Sequence, residues 1–336
     1  MKTVGFITSP LTSGHAVRGV GFYTKNLLEN LKSQSAKFDI KIIEITDHSQ
    51  LSTVNCQLVH YPFFDLFSPS LKLVQGVKTV VTIHDVIPLE FPDHYPPGIK
   101  GWINLQRQKN ELDKVSRIIT DSQASKLSIQ TFLNIPKEKI DVVYLAADPS
   151  FKPIKDKKKL SSVKRKYNLP DKFALYVGDV NWNKNIPGLV QACKSANLPL
   201  VIIGKQAKEI ESMNLDHPEL RHLQNVDWSE VFRLGFADSL AEIYNLATVY
   251  CQASFAEGFG LPVLEAMACG TPVAVSRTHS LPEIAGDAAT YFDPHDISQI
   301  SKALQTARDL SGVAQAAKFS WEKTARETLA IYTQLV

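Results

Sequence analysis

The sequence predicts an α/β protein built from two doubly wound, Rossmann-like domains. Three observations carry that expectation. The 336 residues exceed what one typical hydrophobic core accommodates. Short β-branched runs recur, each followed by a loop and a stretch of helical periodicity. The same pattern then restarts after a basic interruption near residue 150.

In the first half the apolar runs are TVGFIT (3–8), FDIKIIEI (38–45), QLVHY (57–61), KTVVTIHD (78–85), RIITDS (117–122) and DVVYLA (141–146). Between them, FYTKNLLENLK (22–32) and IKGWINLQRQKNELDKV (99–115) have helical spacing. Strands alternating with helices in this way form parallel sheets covered on both faces. Residues 151–170 are rich in lysine and poor in apolar side chains, which predicts a solvated linker plus one exposed helix without an amphipathic stripe. The second half resumes with KFALYVGD (172–179), PLVIIGK (199–205), RHLQNV (221–226), VFRLGF (231–236), ATVYCQA (247–253), TPVAVS (271–276) and ATYFD (289–293), all read as strands. Domain boundaries follow at 1–150 and 171–319, with a last helix over 320–336 expected to pack back onto the first domain.

Composition narrows the function classes. Hydrophobic residues at 44% and charged residues at 21% are ordinary for a globular chain. A net charge of +3 does not imply nucleic-acid binding. The four cysteines (Cys56, Cys193, Cys251, Cys269) have neither metal nor redox spacing, and the apolar surroundings of Cys56, Cys251 and Cys269 predict reduced core residues in a cytoplasmic setting. The N-terminal run reads as a strand rather than a signal peptide, and no apolar run approaches the roughly 20 residues that span a bilayer. Peripheral contact with a membrane stays open, since HYPFFDLF (60–67) and the basic helix around Trp102, Arg107 and Lys109 could seat a lipid-linked acceptor, while core aromatics and solvated basic residues are the preferred reading.

The most informative stretch is EGFGLPVLEAMACGTPV (257–273). A buried strand precedes it, so Glu257–Gly260 form the loop at that strand's C-terminal end. Pro262 suits a first helical turn and Gly270 a C-terminal cap, which predicts a short helix over Leu261–Cys269. Backbone amides of Gly258, Phe259, Gly260 and Leu261, with the helix dipole behind them, suit an anion. The flanking carboxylates of Glu257 and Glu265 suit hydroxyls. A ligand carrying both groups is a nucleotide diphosphate sugar.

The two glutamates, spaced E-x7-E, together with RGVGFYTKNLL (18–28), VVTIHDVIPLEFP (80–92), IITDSQASK (118–126), NKNIPGL (183–189), RLGF (233–236), SLPEIAGDAATYFDP (280–294) and FSWEKTA (319–325), carry a resemblance over nearly the whole chain. The sequence resembles the retaining glycosyltransferases of family 4, whose two doubly wound domains face a central cleft in the glycosyltransferase B-type fold. Carried over residue by residue, the resemblance implies a donor site of Gly19, Gly178, Lys184, Phe236, Glu257, Gly258, Phe259, Gly260, Leu261 and Glu265. Glu265 would hold the ribose hydroxyls, Glu257 the transferred sugar and Lys184 the diphosphate, while Phe236 would lie at the base. Arg18, Gly21 and Tyr23, in a glycine-rich loop, would face the acceptor. His84, Lys184 and Glu257 would carry the catalysis. Family members often carry an arginine where this chain has Asp179, so charge stabilisation at the leaving group comes from elsewhere.

The implied reaction is front-face transfer of a sugar with retention, and the sequence has no Asp-x-Asp pair of the kind that clamps a metal-bound diphosphate. The resemblance implies no cofactor and no metal, with the nucleotide sugar as substrate, GDP-mannose favoured over a UDP-sugar. The acceptor is a glycan or a lipid-linked glycan; the protein is expected as a monomer or weak homodimer. A nucleotide-sugar epimerase or a phosphorylase on the same fold, or a non-catalytic nucleotide-sugar-binding protein, are the alternatives. An NAD(P) oxidoreductase is disfavoured because GVGFYT lacks the third glycine and its loop is too long.

Overall fold

The computed structural model describes residues 1–336 except His15, Val17 and Arg18 and the side chain of Ser52. The chain divides into two compact units. The first comprises Met1–Pro92, Pro96–Ala146 and Phe319–Val336, and the second Asp93–Tyr95 and Ala147–Lys318.

In the first unit the strands are β1 (Lys2–Ile7), β2 (Ile40–Ile45), β3 (Leu58–Tyr61), β4 (Lys78–Thr82), β5 (Arg117–Thr120) and β6 (Ile140–Val142). Among the described residues they form one parallel sheet in the order β2-β1-β3-β4-β5-β6. Its helices are α1 (Gly19–Gln34), α2 (Ile87–Glu90), α3 (Gly98–Leu112) and α4 (Gln123–Leu133). β3 is buried along its whole length, as its continuous apolar run requires of a central strand. Ile7, Val59, Val81, Ile118, Leu105 and Ile129 meet in one core between sheet and helices.

The last helix of the chain belongs to this unit and packs on α1. Its Tyr332 hydroxyl meets His60 Nδ1 at 2.5 Å, and its Thr324 hydroxyl donates to the Tyr144 carbonyl at 2.6 Å. Burial pushes His60 down to about 3, so the ring is a neutral linker between the Tyr332 and Thr82 hydroxyls.

One expectation needs correction here. Gly19 and Gly21 are not in a loop; they form the first turn of α1. The buried stripe Tyr23, Leu27 and Leu31 drives helix formation back to Gly19 and outweighs glycine's poor helix propensity. Arg18 lies outside the described residues. In the segment 60–67, Tyr61, Phe64 and Leu66 are buried in the core, in keeping with the preferred reading of its aromatics.

The second unit holds β7 (Ala174–Val177), β8 (Leu200–Ile203), β9 (Val231–Leu234), β10 (Val249–Gln252), β11 (Val273–Ser276) and β12 (Thr290–Phe292). These pair in parallel in the order β12-β11-β10-β7-β8-β9. The order reverses between β7 and β10, which makes the gap beyond their C-terminal ends the topological switch point where ligands of open α/β sheets bind. Helices are α5 (Lys157–Lys166), α6 (Ile186–Ser195), α7 (Lys205–Glu209), α8 (Leu240–Leu246), α9 (Leu261–Ala268), α10 (Leu281–Ala285), α11 (Ile297–Thr306) and α12 (Gly312–Ala316). The chain closes with α13 (Trp321–Leu335), the helix already placed on α1.

Two readings of this half change. RHLQNV is a 3-10 turn over Arg221–Leu223, because Leu220 and Leu223 are buried at a helical spacing and β9 already occupies the edge of β8. The basic segment is not a free linker. Asp156 caps α5 through the amides of Lys158 and Lys159, and Val163 is buried where α5 packs on α8. Lys159 pairs with Glu242, Lys164 with Asp171 and Lys166 with Asp238, so these charges are balanced locally.

The ends of β7 and β8 approach so closely that a side chain is excluded. A Cβ on Gly204 would lie 2.2 Å from the Gly178 carbonyl oxygen. Gly204→Ala is therefore expected to lower stability by about 1–3 kcal/mol. Gly19→Ala, which meets nothing within 4 Å, is expected to be neutral or to stabilise by up to about 1 kcal/mol. Thermal and urea unfolding of the two variants side by side checks both.

Candidate functional site

The loops that follow β7 and β10 are neighbours because those strands pair directly. The first runs through Gly178 (φ +147°) to a 3-10 turn, Trp182–Lys184. It ends at Asn185, whose left-handed backbone (φ 52°) starts α6. Lys184 reaches across to Glu257 on the second loop, with its amine 2.9 and 2.8 Å from the two carboxylate oxygens. Gln252 and the Ser254 hydroxyl each donate to Glu257 Oε1 at 2.6 Å. Tyr250 in turn donates to Gln252. Glu257 is thus held by three side chains, of which the sequence reading identified only Lys184.

The rest of the second loop is held from behind. The Ser280 hydroxyl lies 2.9 and 3.0 Å from the carbonyls of Glu257 and Phe259, and the Ser276 and Thr278 hydroxyls bind the Ser254 carbonyl. Gly260 adopts φ +99°, where a Cβ would fall 2.9 Å from Leu281, so only glycine fits. Pro262 stands in the first turn of α9, Cys269 is its C-cap, and Gly270 turns the chain at φ +77°. The N-cap of α9 is Gly260, which has no side chain to cap with, and the helix starts close after Glu257.

Glu265 sits inside α9 and is buried. The Tyr244 hydroxyl donates to it at 2.8 Å, and the Tyr244 ring packs edge-on against Phe151. Burial pushes the Glu265 carboxyl up to about 7, the nearby charge of Asp148 adds to the rise, and the Tyr244 bond opposes it. Tyr244 gave no sequence signal, since an aromatic in a helix before a strand reads as core.

In the first unit His84 stands just past the end of β4. Its Nδ1 lies 2.6 Å from Asp121 Oδ2 and its Nε2 3.2 Å from the Pro62 carbonyl. Both partners are hydrogen-bond acceptors. Burial works against a charge on the ring, but the Asp121 carboxylate outweighs it and the pKa is raised. Asp121 is missed by the sequence reading, because only the pairing of β4 with β5, Thr82 opposite Ile119, sets His84 beside Asp121, two residues further on each strand. Tyr23 is buried, its ring edge-on to His84 at 4.8 Å and its hydroxyl 3.0 Å from Thr82. It is built into the core rather than presented to an acceptor.

The structure therefore brings Gly178, Lys184, Glu257, Gly258, Phe259, Gly260 and Leu261 together at the switch point, with Glu265 on the helix that follows. Phe236 follows β9 and is 65% exposed. Gly19 and Gly21 share α1 with Tyr23. Among the described residues, no helix is long and apolar enough to cross a membrane.

The family described as "Glycosyl transferases group 1" matches residues 157–323, and "Glycosyltransferase Family 4" matches residues 45–151. The chain is similar to the O-antigen chain mannosyltransferase B of Escherichia coli, 32% identical over 285 residues, which cover 77% of this chain and 71% of that protein. It is also similar to the serotype-specific mannosyltransferase WbdA of Escherichia coli, 30% identical over 280 residues. There the match covers 77% of this chain but only 34% of the longer protein. Among solved structures it shares its fold with Anabaena Alr3699/HepE in complex with UDP and glucose. That likeness has a TM-score of 0.70 and 14% identity, and covers 99% of this chain and 100% of the other.

Glu265 supplies a test of the site's electrostatics. Its folded pKa lies above the ordinary 4.5, so the stability it contributes is complete below pH 4.5 and lost as pH rises through about 7. Glu265→Gln keeps the bond to Tyr244 and cannot ionise. The variant is expected to gain on the natural protein between pH 4.5 and 7 and to hold a constant lead above, on the order of 3 kcal/mol at most. Urea midpoints across that pH range measure the gap; a gap that does not change with pH removes the assignment.

Proposed function

The chain belongs to the group 1 glycosyl transferases of family 4 and is a glycosyltransferase, and from that premise we propose that it moves mannose from a nucleotide diphosphate to a glycan hydroxyl with retention. The observation that carries this reading is the Lys184–Glu257 pair at the switch point, beside the N-terminus of α9. A fixed cation, a helix N-terminus and a carboxylate set within one pocket suit a diphosphate joined to a polyhydroxylated ring. Glu265, one oxygen held by Tyr244, accepts from the ribose. Phe236 borders the base.

The bond from the anomeric carbon to the diphosphate oxygen breaks as the acceptor oxygen joins the same face of that carbon. The acceptor proton passes to the departing phosphate oxygen. Lys184 and the α9 amides take up the charge that develops there, in the role a metal plays elsewhere. The role at the transferred sugar that the family resemblance implies for His84 rests on that resemblance, and its two ring nitrogens are already engaged by Asp121 and the Pro62 carbonyl. Mannose is favoured by the names of the relatives that are at least 30% identical, the O-antigen chain in one of those names supports a growing polysaccharide as acceptor, and GDP is taken as the carrier from the resemblance alone. Peripheral membrane contact is supported by Ile99, Trp102 and Ile103, exposed on one turn of α3 beside Lys100 and Arg107.

A saturation-transfer NMR screen against GDP-, UDP- and ADP-sugars is expected to select GDP-mannose, and Glu265→Ala to lose that signal. Lys184→Met should lower kcat/KM by about 10²–10³-fold, the weight of one donor to a developing oxyanion. Turnover should be unchanged in EDTA, and the product's anomeric coupling should show retention. Full nucleotide binding by Glu265→Ala would sink the ribose assignment, and an inverted product the mechanism.

A further inference from the structure

One short piece of the second unit comes from far away in sequence. Asp93–Tyr95 belongs to it, while Pro92 and Pro96 on either side belong to the first unit. Pro92, Pro96 and Pro97 restrict the backbone around the segment and make it a stiff strap. The strap has no counterpart in the donor-site residues already assigned, yet two of its three side chains, His94 and Tyr95, end on the loop that carries Lys184.

The His94 ring lies flat on Trp182, centroids 3.7 Å apart and planes 9° from parallel. Trp182 is in turn packed on Phe255, two residues before Glu257. The Tyr95 hydroxyl donates to Asn183 Oδ1 at 2.7 Å and accepts from the Asn183 amide at 3.2 Å. Asn183 is 5% exposed, and its other groups bind the second loop: Nδ2 donates to the Ala256 carbonyl at 2.9 Å, and its carbonyl accepts from the Phe255 amide at 2.8 Å. Asn185 closes the turn by donating to the Pro294 carbonyl at 2.8 Å. Each residue of the turn is thus held from a different side, and Tyr95 and His94 hold the side that Lys184's own loop does not supply.

We infer that His94 and Tyr95 are positioning residues of the donor site, which fix Asn183 against the 255–256 backbone and so set the reach of the Lys184 amine. The inference rests on the reading of Lys184 as the diphosphate-binding cation. Neither residue touches the ligand. Their influence passes through Asn183 and Trp182, and it vanishes when Lys184 is gone.

A double-mutant cycle tests this on the full-length chain. The Kd of GDP, with UDP in parallel, is measured by calorimetry for the natural protein, Tyr95→Phe, Lys184→Met and the double variant. Tyr95→Phe is expected to weaken diphosphate binding about fivefold, the weight of one hydrogen bond. In the Lys184→Met background the same change should have no effect. An equal loss in both backgrounds, or no loss in the Lys184 background, overturns the inference. Lys184→Met binding as tightly as the natural protein overturns instead the diphosphate reading beneath it. A second pair guards against a folding defect: His94→Ala should weaken GDP binding, and His94→Phe, which keeps a ring on Trp182, should restore it. Failure of His94→Phe to restore binding, at unchanged melting temperature, also counts against the inference.

Discussion

The second unit depends on one ion pair. Lys184 and Glu257 are both mostly out of water, their side chains 21% and 9% exposed. A buried charge is tolerated only when it is paired and hydrogen-bonded, and a pair broken by losing one partner is strongly destabilising. That requirement explains the effort spent on the two loops. Gln252 and Ser254 saturate the carboxylate, Ser280 and Ser276 hold the backbone that carries it, and Asn183 ties the lysine's turn to the same backbone. The strand order makes it possible, since only β7 and β10 meet at the switch point.

The first unit uses the same device with other groups. His84 and Asp121 stand at the ends of adjacent strands, and the carboxylate raises the imidazole pKa against the pull of burial. His60, in the same unit, goes the opposite way. It has hydroxyls on both nitrogens, Phe6 against its ring and no carboxylate in contact, so burial drives it neutral. Two histidines of identical chemistry are shifted in opposite directions, His60 down by burial and His84 up by its Asp121 neighbour. The neutral one then carries a hydrogen-bond chain from Tyr332 on the last helix through Thr82 to Tyr23, which braces the face of His84. The last helix therefore fixes a residue assigned to the site without being near it in sequence.

Much of this was legible before any coordinates. Continuous β-branched runs mark buried parallel strands, and each run paired in a sheet except RHLQNV, whose apolar residues fall three apart rather than two. The glycines, Pro262 and the two glutamates marked α9 and the loop before it, because a positive φ or a helix start admits few residue types. What stayed hidden were groups whose role depends on which strands become neighbours. Asp121, Gln252 and Tyr244 are unremarkable in sequence and become partners of His84, Glu257 and Glu265 only through the sheet order. Gly19 and Gly21 were misread for the opposite reason: local glycine preference pointed to a loop, and the buried stripe of α1 overrode it.

On the proposed function, the Lys184–Glu257 pair also explains why the donor must carry two kinds of group. In the free protein each charge satisfies the other. A diphosphate that took Lys184 alone would leave Glu257 with one strong partner fewer in a site that excludes water, and a sugar that took Glu257 alone would do the same to Lys184. Only a ligand that brings an anion and hydroxyls together, joined at the spacing of a sugar diphosphate, replaces both partners at once. The helix dipole of α9 then favours the anion. Glu265, pushed up to about 7, adds less negative charge to the approach than an ordinary carboxylate would. Asp179 in place of the family's arginine removes a second cation from this balance, so the exchange rests on Lys184 and on how firmly its turn is held. Discrimination against free phosphate or free sugar thus follows from the pairing itself, before any contact specific to the base is made.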